Sequence, residues 1–188
     1  MKRAVQTLFL AVVTLLTTHA QVTLNNVTLP AKLKKDNTEL TLNGGGIRKK
    51  AFFKLYTAGL YVTEKSKSGS DIAGADKPVA IQLTITSGVI SSSNMSEAIK
   101  EGFGKSLKGN TAPLQSKIDE FINTFKKEEI KEGDVFEMWY TPGTGVKSYK
   151  NGKLQSTIAG LDFKKALFGI WLSDTPVDED LKKGLLGL

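Results

Sequence analysis

The sequence predicts an α+β protein, a large antiparallel sheet with helices packed over one face. Three observations point there. Strand patterns come first as a group; two helix patterns, three strands and two more helices follow, which is not the regular alternation of a parallel α/β protein. Ala51 to Thr63 is rich in Phe, Tyr, Val and Leu and holds no proline, and both of its period-two faces are apolar, as in a long central strand covered on both sides. Lys150-Asn151-Gly152 joins two alternating segments through an Asn-Gly pair, the signature of a tight hairpin.

Taken in order, Val22 to Leu33 alternates and predicts one or two short strands punctuated by Pro30. Glu39 to Leu42 predicts another, ended by a turn at Asn43-Gly44-Gly45-Gly46. In the long strand Phe53, Leu55, Thr57, Gly59 and Tyr61 share one face, and Phe52, Lys54, Tyr56, Ala58, Leu60 and Val62 share the other. Ser66 to Lys77 is polar and reads as a loop, and Pro78 to Thr86 as a strand. Asn94 can cap a helix whose stripe is Met95, Ala98, Ile99, Phe103 and Leu107, weakened by Gly102 and Gly104. Thr111-Ala112-Pro113 opens a second helix, with Leu114, Ile118, Phe121, Ile122 and Phe125 on one side. Strands follow at Asp134 to Tyr140, Val146 to Tyr149 and Lys153 to Ile158. Asp162 begins a helix burying Phe163, Ala166, Leu167, Ile170 and Trp171; Pro176 ends it, and Val177 to Leu186 makes the last one.

Composition narrows the chemistry. The chain has 188 residues, 40% of them hydrophobic and 24% charged, enough for one domain with a real core. It has no cysteine and one histidine, His19, so disulfides, thiolate metal sites and Cys nucleophiles are excluded. Met1-Lys2-Arg3, the apolar run Leu8 to Leu16 and Thr18-His19-Ala20 follow the three-part order of a secretory signal peptide, with cleavage expected after Ala20. The rival reading, a membrane anchor, asks for about 20 apolar residues, and this run is shorter. The mature chain, 21–188, is then exported to a periplasm or the extracellular space, has no stable membrane insertion, and carries neither His nor Cys. A Ser-His-Asp triad and His-ligated metal sites are ruled out with them, and no cofactor or metal is expected.

The net charge of +7 falls to +5 without Lys2 and Arg3. Its lysines and arginines are scattered and interleaved with acids in the second half, without the concentrated basic face that nucleic acid requires, so solvated surface lysines are expected and nucleic acid is not a partner. Gly44-Gly45-Gly46 before Arg48 lacks the Gly-Lys-Ser/Thr of a phosphate loop and precedes a strand, so it reads as a turn delivering Arg48 to the mouth of the sheet. A guanidinium beside an apolar strand suits a carboxylate; the alternative is a solvated charge in a basic turn with Lys49 and Lys50. Trp139, Phe168, Ile170 and Trp171 read as core. Asp174, Asp178, Glu179 and Asp180 lack an EF-hand's spacing and read as acids favoured at a helix start.

Gly46-Ile47-Arg48-Lys49-Lys50 leading into Phe53-Lys54-Leu55-Tyr56-Thr57-Ala58-Gly59-Leu60-Tyr61-Val62, then Thr141 to Gly145, Asn151-Gly152-Lys153, and Ala166-Leu167-Phe168-Gly169-Ile170-Trp171-Leu172, together resemble the chalcone isomerase-like family, in particular its bacterial exported branch. The resemblance runs from about Leu24 to Leu186. It implies an open-faced β-sandwich, a large antiparallel sheet under a layer of helices with a cleft between. Within that family, true chalcone isomerases cyclise chalcones to flavanones without a cofactor, and plant relatives lacking that activity bind fatty acids in the same cleft. Both place an Arg there, and Arg48 matches it. Where the enzymes have a Thr on the long strand this sequence has Tyr56, as the fatty-acid binders do. The enzymes' catalytic Tyr falls near Thr86, and their polar residue of the late helix near Ile170.

The resemblance and the residues together give a ligand-binding set of Arg48, Tyr56, Lys54 and Thr86. Tyr56 shares a predicted face with Phe52, Ala58, Leu60 and Val62, so with Arg48 it would end an apolar channel suited to an amphiphile with an anionic head. Lys54 could add a second cation or simply snorkel at the sheet edge. Three functions stay open: a non-catalytic binder of a fatty acid or similar small apolar carboxylate, an intramolecular lyase or isomerase on a chalcone-like or enone substrate, and a structural envelope domain whose cleft is filled.

Overall fold

In a computed structural model of the protein, residues 21–188 are described; the segment read above as a signal peptide lies outside the described residues. Among the described residues, nine strands form two sheets. A small hairpin pairs β1 (Val22–Leu24) with β2 (Val27–Leu29) across Asn25 and Asn26, both in the left-handed region that such a tight turn demands. The main sheet contains β3 (Lys32–Lys35), β4 (Thr38–Lys50), β5 (Phe53–Val62), β6 (Val79–Ile85), β7 (Val135–Thr141), β8 (Gly145–Lys150) and β9 (Lys153–Ile158), antiparallel throughout and in sequence order. The expected α+β class and Asn-Gly hairpin are both present: Asn151 and Gly152 have φ of 50° and 79°.

Helices cover one face: α1 (Gly69–Gly74), α2 (Ser92–Ser106), α3 (Gln115–Lys126), α4 (Leu161–Leu172) and α5 (Glu179–Leu186), with a short 3-10 turn at Ala112–Leu114 leading into α3. Between them and the sheet lies the main core, with Phe103, Phe121, Phe163 and Phe168 fully or almost fully buried. The opposite face carries a smaller core of Leu40, Leu42, Tyr61, Ala80 and Trp139, roofed by Leu29 of the β1–β2 hairpin. β5 is thus apolar on both sides because both its sides are covered, as expected for it.

Four local expectations fail for identifiable reasons. Ser66 to Lys77 contains α1, which Ser68 caps by accepting from Asp71 N. Ser91, not Asn94, is the N-cap of α2; Asn94 sits at N3 and completes the reciprocal capping box. Lys164, expected at the surface, is fully buried and donates to the carbonyls of Ile72, Ala73 and Ala75, closing the C-terminal end of α1. Finally, Gly44, Gly45 and Gly46 form no turn. They lie inside β4, which continues to Lys50, and none has a left-handed φ.

The glycines are required by close approach. A Cβ on Gly44 would stand 2.3 Å from the Gly184 carbonyl oxygen, and one on Gly46 2.9 Å from Leu181. On the other face, a Cβ on Gly45 would meet Leu29 at 2.3 Å. The run is therefore a smooth strand against which α5 lies backbone to backbone. Asn43, bulged out of the β4–β5 ladder, fastens the same helix through Nδ2 to the Leu185 carbonyl (2.8 Å) and to Ser66 O (2.9 Å). That docking brings Val177 to the cleft and the N-cap residue Asp178 to Arg48, both just ahead of α5.

Candidate functional site: a cleft between sheet and helices

A cavity of about 420 Å³ opens between β5, β6 and β7 below and α2, α3 and α4 above. Its deep walls are buried side chains, among them Leu83, Ile99, Phe121, Phe125, Met138 and Ile170. Polar side chains are few: Arg48, Lys50 and Tyr56 from the β4–β5 hairpin, and Asn94 and Glu101 from α2. The size and the apolar lining with a few polar groups are those of a small-molecule site. Among the described residues no group of three or more His, Cys, Asp or Glu could hold a metal ion.

Arg48 and Tyr56 are direct partners in the β4–β5 register, so their side chains rise from the same face. Tyr56 is buried, and its phenolic oxygen accepts from Trp171 Nε1 of α4 at 3.0 Å. Its own O–H has no partner within the described residues and remains free to donate. Burial pushes the phenol up to about 12, against the smaller downward pulls of Trp171 and Arg48, so Tyr56 is a neutral donor at physiological pH.

Arg48 is held by α5. Its Nη1 donates to Asp178 Oδ2 at 3.1 Å and to the Lys49 carbonyl. Asp178 is the N-cap of that helix: Oδ1 accepts from Leu181 N, and Oδ2 also accepts from Lys49 N. Burial works to raise the Asp178 carboxyl, but these N–H donors and the guanidinium outweigh it and hold the group below its ordinary value. The remaining guanidinium nitrogens have no partner among the described residues.

Lys54 and Thr86, expected with this pair, do not line the cleft. A bulge at Leu55 intervenes: Arg48 faces Tyr56, but the next rung pairs Lys49 with Lys54. One extra residue flips the alternation. Leu55 and Phe53 therefore enter the cleft lining, and Lys54 turns to the other face, where Nζ reaches Asn25 Oδ1 at 3.3 Å. Thr86 closes the end of the β5–β6 pair, its Oγ1 donating to the Lys54 carbonyl at 3.1 Å.

Two members of the site escaped sequence reasoning. Trp171 reads as core, and it is core, yet a buried indole N–H needs an acceptor, and that need was the available signal. Asp178 reads correctly as a helix-start acid, but nothing in the sequence announces an ion pair across 130 positions.

The comparisons bear on the fold and the family. The family model described as chalcone isomerase-like matches residues 21–187. No curated protein matches the chain. Among solved structures, the crystal structure of an Arabidopsis thaliana fatty-acid binding protein superposes with a TM-score of 0.71 at 19% identity, covering 86% of this chain and 92% of that one. The identity is low, so the likeness speaks for the fold, a curled antiparallel sheet under helices. With the model matched from Gln21 to Gly187, the chain belongs to the chalcone isomerase-like family.

Proposed function

We propose that this chain is an exported, non-catalytic binding protein for a fatty acid or a similar small apolar carboxylate. The observation that carries the reading is the position of Arg48 and Tyr56, side by side at a largely apolar cavity. The guanidinium offers charge and donors, Tyr56 offers one neutral O–H, and both suit a carboxylate's acceptor lone pairs. An alkyl chain then runs along Leu83, Ile99, Phe125 and Met138, each buried CH₂ contributing about 0.8 kcal/mol. The solved fatty-acid binding protein of the same fold supports this choice of ligand class.

Binding is favoured over turnover because the polar groups are poorly suited to move protons. Burial pushes Tyr56 up to about 12, far from the neutral range where a general base is effective, and a guanidinium offers donors but no acceptor for a proton. Native mass spectrometry of the mature protein, followed by organic extraction, tests the reading. A co-purifying fatty acid that Arg48→Ala loses is expected, together with no cyclisation of chalcones. An empty protein whose melting temperature fatty acids do not shift would overturn it.

A further inference from the structure

The tip of the β4–β5 hairpin is the most exposed apolar feature among the described residues. Phe52 is 101% exposed, and Phe53 beside it is 51% exposed. Ala51 before them holds a left-handed φ of 52°, a conformation an alanine enters at a cost, and the turn it makes leaves Phe52 with its whole ring in solvent. The lysines around the tip are exposed as well: Lys49 faces Lys54 across the ladder and Lys50 faces Phe53. Lys49 and Lys50 make no ion pair among the described residues, and Lys54 reaches only the neutral Asn25. Of the nearby acids, Asp178 is paired with Arg48 and Glu101 with Lys105, and Glu101 also feels the charge of Lys50 without contacting it as an ion pair. Across the mouth, Val89 is 46% exposed and lines the same cavity as Phe53 and Lys50.

One ring projecting beyond the fold and a second, half-exposed at the cleft mouth, with cations on both sides of the ribbon, match the chemistry of an anionic bilayer surface. Aromatic rings settle at the headgroup level and lysines reach the lipid charges beside them. No helix of the described residues is long and apolar enough to cross a membrane; the contact considered is a peripheral one. We propose that this hairpin tip docks on an anionic lipid surface, with Phe52 and Phe53 in the headgroup layer and Lys49, Lys50 and Lys54 on the lipid charges. The mouth of the cleft then faces the bilayer, where a fatty acid resides; that last step rests on the function proposed above, whereas the docking itself does not.

Sedimentation with vesicles tests it, using the chain from Gln21 to Leu188, which holds every described element. Vesicles of equimolar phosphatidylglycerol and phosphatidylcholine should carry the protein down and pure phosphatidylcholine should not. Phe52→Asp should weaken the binding about tenfold or more and leave fatty-acid binding in solution and the melting temperature unchanged, since Phe52 touches neither core nor cleft. Lys49→Gln and Lys54→Gln should each weaken it about fivefold at low salt, with the difference vanishing at high salt. Equal binding to neutral vesicles, or a Phe52→Asp variant that sediments normally, would overturn the proposal. So would a dimer in solution that Phe52→Asp dissociates, because the tip would then be covered by a second copy. Vesicle binding without any fatty-acid binding would sink the ligand reading and leave the docking intact; the converse result would do the reverse.

Discussion

Trp171 donates its indole N–H to the phenolic oxygen of Tyr56 over 3.0 Å. The bond joins α4 to β5 beneath the cleft and fixes which way the Tyr56 proton points: the oxygen's acceptor side is occupied, and the O–H is left for a ligand. A residue that fills the core thereby also sets the donor geometry of the site.

Replacing Trp171 with Phe should separate those roles. The ring still packs, but Tyr56 loses its donor, and stability should fall by about 1 kcal/mol. Fatty-acid affinity should drop severalfold because the phenol is free to rotate. Isothermal calorimetry beside urea denaturation would check it; unchanged affinity would show that Trp171 is packing alone.

Asp178→Asn keeps a capping side chain on α5 and removes the charge that shares Arg48. With that competitor gone, a carboxylate ligand should bind severalfold more tightly, most visibly at low salt. Titration of a fluorescent fatty acid into both proteins would show it, and weaker binding would mean that Asp178 chiefly aims the guanidinium. In the wild type the Asp178 carboxyl is depressed below 3.8 in the folded state. Its contribution to stability is therefore complete above that value and is lost as pH falls through the lower folded one.

At alkaline pH the sign reverses for Tyr56. Its folded pKa is about 12 against 10.0 in the unfolded chain. Between these values the unfolded state gives up a proton that the folded state keeps, so stability declines with a slope of up to about 1.4 kcal/mol per pH unit. Urea unfolding between pH 9 and 11 should show a shallower decline in Tyr56→Phe than in the wild type.

Gly44→Ala should be costly although alanine is the smallest possible addition. The new methyl would collide with the Gly184 carbonyl at 2.3 Å, where neither backbone can yield cheaply. A loss of about 2 kcal/mol or more is expected, with α5 displaced and Asp178 drawn off Arg48. Chemical denaturation measures the first effect and ligand affinity the second.

Lys164→Met tests a cation used as a helix terminator. It would leave the carbonyls of Ile72, Ala73 and Ala75 without their donor in a dry interior, at about 3 kcal/mol. Thermal unfolding should register the change with little effect on ligand binding, because Lys164 does not line the cleft.

What the sequence by itself determined here are features set by neighbouring residues. The Asn151-Gly152 turn, the apolar stripes of α2 to α4 and the two-sided burial of β5 follow from backbone preferences and periodicity, and family likeness identified the Arg48 and Tyr56 pair. Tertiary structure decided the rest. The glycine run is ambiguous locally, since Gly permits a turn as readily as a strand, and only α5 lying against it selects the strand. A single bulge at Leu55, invisible to a period-two reading, sends Lys54 away from the cleft and brings Phe53 into it. The partners Asp178 for Arg48 and Trp171 for Tyr56 lie 130 and 115 positions along the chain. Such pairings depend on how helices dock on a sheet, and docking is governed by the shapes of surfaces that exist only once the chain has folded.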